Sequence, residues 1–268
     1  MVISLKQAYK LCCDRLGRTD GRILFEGLTE KTVSDVLTHP DDVTDADFKS
    51  AFSRLEEGEP IQYVLGETEF MGLLFKVTKD VLIPRQDTEL LCEWAIDWLK
   101  DKKDRKVLDI CTGSGCIAIS VQKFTEADVT AIDISEKALK IAEHNSSLNN
   151  ASVKFLKADA HSFCDLDNLD IILSNPPYIE SDVVDGLEKK VKDFEPRLAL
   201  DGGKDGLDFY GDIAKNSRKM LKSGGVLAVE IGYNQGNAVS EIFREYFGNA
   251  EVLKDLCGND RVVVSVKQ

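Results

Sequence analysis

Four residues, Asn175-Pro176-Pro177-Tyr178, follow directly on the apolar run Asp170-Ile171-Ile172-Leu173-Ser174. Two prolines remove two backbone donors and set two φ angles, so this segment is a stiff loop with free carbonyls rather than a continuing strand. Asn175 adds a side-chain oxygen, and Tyr178 adds a flat apolar face. Asn175 Oδ1 and the Pro176 carbonyl suit one task in particular. They can accept both N–H protons of a planar amide or amino group, orienting it and enriching its nitrogen for attack on an electrophilic methyl. No general base is needed at the outset, because the proton can leave after attack; alignment supplies most of the rate, up to about 7–11 kcal/mol. The competing reading is a rigid turn with an inward-packed tyrosine.

A second constellation is Asp109-Ile110-Cys111-Thr112-Gly113-Ser114-Gly115, where glycines join an apolar strand to a helix and let backbone approach a ligand at the helix start. Gly113-x-Gly115-x-x-Ala118 also satisfies a relaxed dinucleotide fingerprint. Asp109 separates the two readings. A carboxylate beside the glycines repels a pyrophosphate and favours a cationic ligand, and S-adenosylmethionine, with its ammonium and sulfonium, meets that demand. Asp133 ends the next strand, where an acid accepts hydrogen bonds from ribose hydroxyls or, alternatively, caps the helix that follows. Asp159 ends the third, as a partner for an adenine amino group or as a loop-turn aspartate. Three acids at the carboxyl ends of successive strands converge on one nucleoside-binding crevice.

The elements that must position these groups alternate. Strands are expected at 107–110, 129–132, 153–156, 169–173 and 226–231, with helices after the glycine loop and over 136–148. That order implies a mostly parallel sheet covered by helices. Segments 251–253 and 262–266 flank Gly258-Asn259-Asp260 without a helix, which predicts a terminal hairpin and one antiparallel strand. Residues 1–67 read as a small helical domain: one helix on the face Leu5, Ala8, Tyr9, Cys12 and Leu16, stopped by Gly17; one or two short helices over 23–37; and one through Phe48, Ala51, Phe52 and Leu55 behind a Thr44-Asp45 cap. Residues 68–84, punctuated by Gly72, read as a β-hairpin connector, and 85–268 as the catalytic domain, entered by a helix from about Thr88 to Leu99.

Composition narrows the partners. The chain has 268 residues, 43% hydrophobic and 30% charged, with a formal net charge of −13. Such a molecule is repelled by nucleic-acid backbone, so no stable nucleic-acid binding is expected. No run is long and apolar enough for a signal peptide or membrane helix, so no membrane partner is expected either. Seven cysteines, an odd count, suit reduced thiols in a cytoplasm, and without a CxxC pair no metal site is expected.

Taken with Gly58-x-Pro60-x-Gln62-Tyr63, Phe70-x-Gly72, Leu82-Ile83-Pro84-Arg85-Gln86-Asp87-Thr88-Glu89, Glu195-Pro196, Leu200-x-Gly202-Gly203-x-Asp205-Gly206, Glu230-x-Gly232-x-x-Gln235 and Asp260-Arg261, these motifs resemble the PrmC (HemK) family over nearly the whole chain. That family comprises the N5-glutamine methyltransferases of peptide chain release factors. The resemblance implies a seven-stranded class I S-adenosylmethionine-dependent (Rossmann-like) methyltransferase domain behind a small all-α domain that recognises the substrate. It implies methylation of the glutamine amide in the Gly-Gly-Gln tripeptide of class I release factors. Cofactor contacts are implied for Asp109, Cys111, Thr112, Gly113, Ser114, Gly115, Asp133, Asp159, Ala160 and Asn175, and a substrate clasp for Asn175, Pro176, Pro177 and Tyr178. Many relatives carry glycine where this chain has Cys111, so ordinary backbone angles are expected there. The Pro84–Glu89 segment either orders the domain junction over the cofactor or is purely structural. The rival readings are a nucleic-acid amino methyltransferase of the adenine-N6 type, disfavoured by the charge; a non-catalytic nucleoside-binding adaptor, which has no need of an amide clasp; and a NAD-linked dehydrogenase, disfavoured by Asp109.

Overall fold

Short polar and glycine punctuation divides the chain into elements whose apolar faces then decide where they pack. In the computed structural model, which describes residues 2–100 and 104–268, two compact units form, Met1–Gly66 and Glu67–Gln268. The first contains β1 (Ile3–Ser4), α1 (Leu5–Thr29), α2 (Val33–Thr38), β2 (Val43–Thr44), α3 (Phe48–Glu56) and α4 (Ile61–Leu65). Gly17, with φ of +81°, breaks α1 into two helical pieces, as expected of a glycine with access to the left-handed region. Ser4 and Gln7 cap the start of α1 reciprocally. The cap of α3 is Asp47, accepting from the Ser50 amide, and not Thr44-Asp45. The shift follows from β2, which claims Val43 and Thr44 for a two-residue ladder with β1. Leu5, Ala8, Leu24, Phe25, Phe48 and Phe52 fill this unit's core.

The second unit opens with the hairpin of β3 (Glu67–Phe70) and β4 (Leu73–Lys76), which begins one residue before the expected connector and is followed by loop to Arg85. The hairpin packs Phe70 and Phe75 into the same core as Leu91, Cys92 and Ala95 of α5 (Gln86–Leu99). Thereafter come β5 (Lys106–Ile110), α6 (Cys116–Thr125), β6 (Asp128–Asp133), α7 (Glu136–Leu148), β7 (Val153–Lys157), β8 (Leu169–Ser174), α8 (Ser181–Val184), α9 (Lys189–Lys192), α10 (Asp208–Met220), β9 (Leu221–Glu230), α11 (Gly236–Phe247), β10 (Glu251–Lys254) and β11 (Asp260–Val266).

Among the described residues, these strands form a seven-stranded sheet in the order β10-β11-β9-β8-β5-β6-β7, parallel except for β11, which runs against both of its neighbours. The antiparallel hairpin at the end is the one that the missing helix between 254 and 260 foretold. From β5 the chain winds outward to β7, then returns to β8 on the other side of β5. Strand order therefore reverses between β5 and β8, and the loops leaving their carboxyl ends diverge to leave a crevice. The glycine loop follows β5 and the Asn175 loop follows β8, so both border that switch point.

Candidate active site

A cavity of about 250 Å³ lies at the switch point. Its wall includes Cys111, Thr112, Gly113 and Ser114 from the loop after β5, Asp133 and Ile134 from the end of β6, Asp159 and Ala160 after β7, and Asn175 and Pro177 after β8. Pro84, Arg85, Thr88, Pro196, Leu198 and Phe209 line it as well.

The glycine loop turns sharply because two successive amides reach across to β6. Thr112 N–H donates to the Ile132 carbonyl at 3.0 Å, and Gly113 N–H donates to Asp133 Oδ2 at 2.9 Å. To aim them, the chain leaves the extended region at once, and Cys111 takes φ of +62°. The expectation of ordinary angles at Cys111 is therefore overturned: this cysteine adopts the left-handed conformation that costs a non-glycine residue of order 1 kcal/mol. Gly115, at φ +82°, caps α6 but does not border the cavity. A Cβ on it would stand 2.8 Å from Ile119 Cδ1 and 3.1 Å from Ala142 Cβ, so its role is to let α6 lie against α7.

Asp109 departs from its expected role. It is fully buried beneath the loop, where its Oδ2 accepts the Thr112 hydroxyl at 2.6 Å, and it does not reach the cavity. Burial raises its pKa to about 7, against the lowering pull of Thr112 and the Ala118 amide, while the charge of Asp133 adds to the rise. Asp109 thus braces the loop from below. The negative wall comes instead from Asp80, Asp133 and Asp159. Asp133 Oδ1 accepts the Ser135 amide at 2.8 Å, while the cap of α7 is Ser135, accepting from Ala138. Each Asp133 oxygen keeps a further lone pair beside the cavity, and burial raises its pKa. Asp159 Oδ1 accepts the His161 amide at 2.9 Å, the loop-turn geometry, yet the residue still lines the cavity.

The Asn175 loop is held by elements far away in sequence. Asn175 Nδ2 donates to Thr88 Oγ1 at 3.1 Å across 87 residues, which leaves Oδ1 as the atom available to a ligand. Pro176 and Tyr178 do not line the cavity. Tyr178 turns its hydroxyl to Glu230 Oε1 at 3.3 Å and packs on the core beneath, because that carboxyl offers a buried acceptor to an otherwise buried donor. The carbonyl of Tyr178 accepts from Gln235 Nε2 at 3.0 Å, and Gly202 permits a close approach here, since a Cβ on it would sit 2.7 Å from both the Pro177 carbonyl oxygen and Tyr178 Cα.

Pro84–Glu89 proves to be part of this site. Pro84, Arg85 and Thr88 line the cavity, Arg85 forms an ion pair with Glu195 across 110 residues, and Glu89 Oε1 accepts the Met71 amide at 2.7 Å. The ion pair clamps the α5 entrance to the Pro196–Ala199 wall. Sequence reasoning missed Thr88, Glu195, Glu230 and Gln235 as supports of the site; their one signal was membership of short motifs with no chemistry of their own.

A wall that combines amide donors, spare carboxylate lone pairs and an apolar rim of Ile134, Ala160 and Phe209 suits a nucleoside carrying positive charge. Comparisons with known proteins agree with the architecture. The methyltransferase small domain family model matches residues 87–192, and the PrmC N-terminal domain model matches residues 6–66. A release factor glutamine methyltransferase of Clostridium botulinum is 39% identical over 258 residues, covering 92% of this chain and 91% of that protein. One from Fusobacterium nucleatum is 44% identical over 218 residues, 80% of this chain, and the matched part spans 62% of that longer relative. The crystal structure of a methyltransferase from Pyrococcus furiosus superposes with a TM-score of 0.56 at 19% identity, covering 82% of this chain and 99% of that one, which shows the class I methyltransferase fold. By its near full-length identity to such proteins, the chain belongs to the release factor glutamine methyltransferase family.

Proposed function

We propose that this protein transfers a methyl group from S-adenosylmethionine to the side-chain amide nitrogen of the glutamine in the Gly-Gly-Gln tripeptide of class I release factors. The observation that carries the reading is the placement of Asn175: it opens into the same cavity as the glycine loop, with its donor committed to Thr88 and its acceptor left over.

The amides and carbonyls of Cys111 to Ser114, with Asp133, Asp159 and Ala160, would hold the cofactor, Asp133 toward ribose hydroxyls and Asp159 toward the adenine end. When bound, S-adenosylmethionine supplies an electrophilic methyl on a sulfonium. Everything else falls to the chain. Asn175 Oδ1 accepts an N–H of the glutamine amide, draws electron density onto its nitrogen and orients its plane, whereas Pro176, outside the cavity wall, serves to stiffen the loop. Pro177 keeps the loop stiff, and Tyr178, anchored on Glu230, holds the loop's far end in place. The Arg85–Glu195 pair ties the entrance of α5 to the Pro196–Ala199 side of the cavity. Positioning of this kind accounts for about 7–11 kcal/mol in well-aligned reactions. The helical unit, in which the described residues form no cluster of catalytic groups, is assigned to recognition of the release factor. The proposed setting is the cytoplasm, where release factors act; among the described residues no helix is long and apolar enough to cross a membrane.

Incubation with methyl-labelled S-adenosylmethionine and a purified class I release factor, followed by peptide mapping, tests the reading. Label on the Gly-Gly-Gln glutamine supports it. Absence of transfer, or label elsewhere, removes it.

A further inference from the structure

The Asn175 clasp has a polarity that its own side chain does not set. A carboxamide ends in one acceptor and one donor of similar size, and a half-turn of its terminal torsion exchanges them. For Oδ1 to face the cavity, an acceptor must hold Nδ2 on the other side. That acceptor is the Thr88 hydroxyl at 3.1 Å. A hydroxyl, however, either accepts or donates, according to where its proton points. Thr88 is buried in the first turn of α5, 2% exposed, so bulk water does not decide the matter.

A neighbour that only accepts does decide it. Glu230, the last residue of β9 and 1% exposed, lies near enough to the Thr88 hydroxyl for that group to lower its pKa. Its Oε1 takes the Tyr178 hydroxyl at 3.3 Å, while Oε2 is buried with no hydrogen-bond partner among the described residues. A carboxylate has no proton to offer. It therefore draws the Thr88 proton to itself and leaves the threonine lone pair for Asn175.

We infer that Glu230 is a positioning residue: through Thr88 it fixes which way the Asn175 amide points, and through Tyr178 it anchors the other end of the same loop. The inference rests on the reading of Asn175 as an amide clasp. Its charge state matters because a protonated Glu230 becomes a donor and releases the Thr88 rotor. Arg261 of β11 favours the carboxylate, whereas burial and Asp87 of α5 oppose it. Tyr178 faces it directly, and Tyr210 of α10, Cys92 of α5 and Cys116 of α6 also lie within its field. Burial prevails, and the acid titrates at about 7.

The test needs a readout independent of turnover. In the full chain without cofactor or substrate, the Asn175 side-chain NH2 resonances are followed by 1H–15N NMR from about pH 5.5 to 8.5, spanning the titration near 7, with Asn175→Ala as the assignment control. In wild type these resonances should titrate with a single midpoint near 7. In Glu230→Gln and Thr88→Val the titration should vanish, and in Thr88→Ser it should return. Methyl transfer to the release factor is measured in parallel. Glu230→Gln and Thr88→Val should lower kcat by about tenfold to a hundredfold while KM for the release factor and Kd for S-adenosylmethionine change by less than about threefold. Thr88→Ser should recover most of that loss. An Asn175 signal indifferent to Glu230 and Thr88 in folded variants overturns the inference. So does a loss of rate in Thr88→Val that serine does not restore, a comparison that decides the matter even if Glu230→Gln fails to fold. If the signals couple as expected but wild type transfers no methyl to the release factor, the functional reading fails and the positioning role of Glu230 stands.

Discussion

The side-chain amide of Asn145 on α7 donates to the Ser114 carbonyl at 2.9 Å and to the Lys76 carbonyl at 3.0 Å, while its Oδ1 accepts the Lys76 amide at 2.7 Å. One fully buried residue thus ties the glycine loop to the edge of the β3–β4 hairpin. Asn145→Ala strands the buried Ser114 carbonyl and the part-buried Lys76 amide and carbonyl, and should cost about 2–4 kcal/mol, a fall in Tm of about 5–10 °C for a chain of this size. Affinity for S-adenosylmethionine should fall with it, because Ser114 is part of the cavity wall. Unaltered melts would show that the hairpin is not anchored through this residue.

Asp133 carries two loads, and a substitution separates them. Its oxygens accept the Gly113 and Ser135 amides, and their remaining lone pairs are assigned to ribose hydroxyls. Asp133→Ala should weaken S-adenosylmethionine binding by about 1.5–3 kcal/mol, about tenfold to a hundredfold in Kd, with some loss of stability. Calorimetric titration of the folded variant is decisive, and unchanged affinity would remove Asp133 from the cofactor site.

For the clasp, Asn175→Ala should lower single-turnover methylation by about 10²–10³ while S-adenosylmethionine affinity stays within about threefold of wild type. Asn175→Asp should do no better. It removes the donor that engages Thr88 and sets a second carboxylate near the buried Glu230. Full-rate transfer by the alanine variant would sink the clasp.

Stability should carry a pH signature from Asp109. Its folded pKa of about 7 lies above the ordinary 3.8, so the folded state holds this proton more tightly than the unfolded one does. The contribution to stability is complete below about pH 4 and is lost as pH rises through about 7. Asp109→Asn cannot titrate and still accepts the Thr112 hydroxyl. It should therefore melt close to wild type at about pH 5 and above wild type at about pH 8. Parallel curves at both pH values would contradict the buried, proton-retaining state.

Recognition by the helical unit is tested by a chain beginning at Glu67, the first residue of the second compact unit. Provided that it folds, it should bind S-adenosylmethionine normally and methylate intact release factor with kcat/KM reduced by about tenfold or more, a loss of about 1.4 kcal/mol or more in recognition. Equal kcat/KM for the two chains would assign recognition to the second unit.

What could be read from the sequence was whatever depends on local pattern. The alternation of apolar runs with helical spacings foretold the parallel sheet, and the missing helix before Asp260 foretold the antiparallel β11, because pleat and helix periods are written residue by residue. The glycine loop, Asp133, Asp159 and Asn175 were legible because each ends a strand, and strand ends gather at a switch point. The tertiary structure alone decided direction and partnership. It sent Asp109 beneath the loop, turned Tyr178 down onto Glu230 and away from the cavity, and drove Cys111 into a left-handed turn, since each depends on a neighbour that the chain brings up from elsewhere. The Thr88 and Arg85 contacts, across 87 and 110 residues, join segments that no local period relates. A hydrogen bond is specified by the atom at its other end, and for these residues that atom is supplied only when the chain has folded.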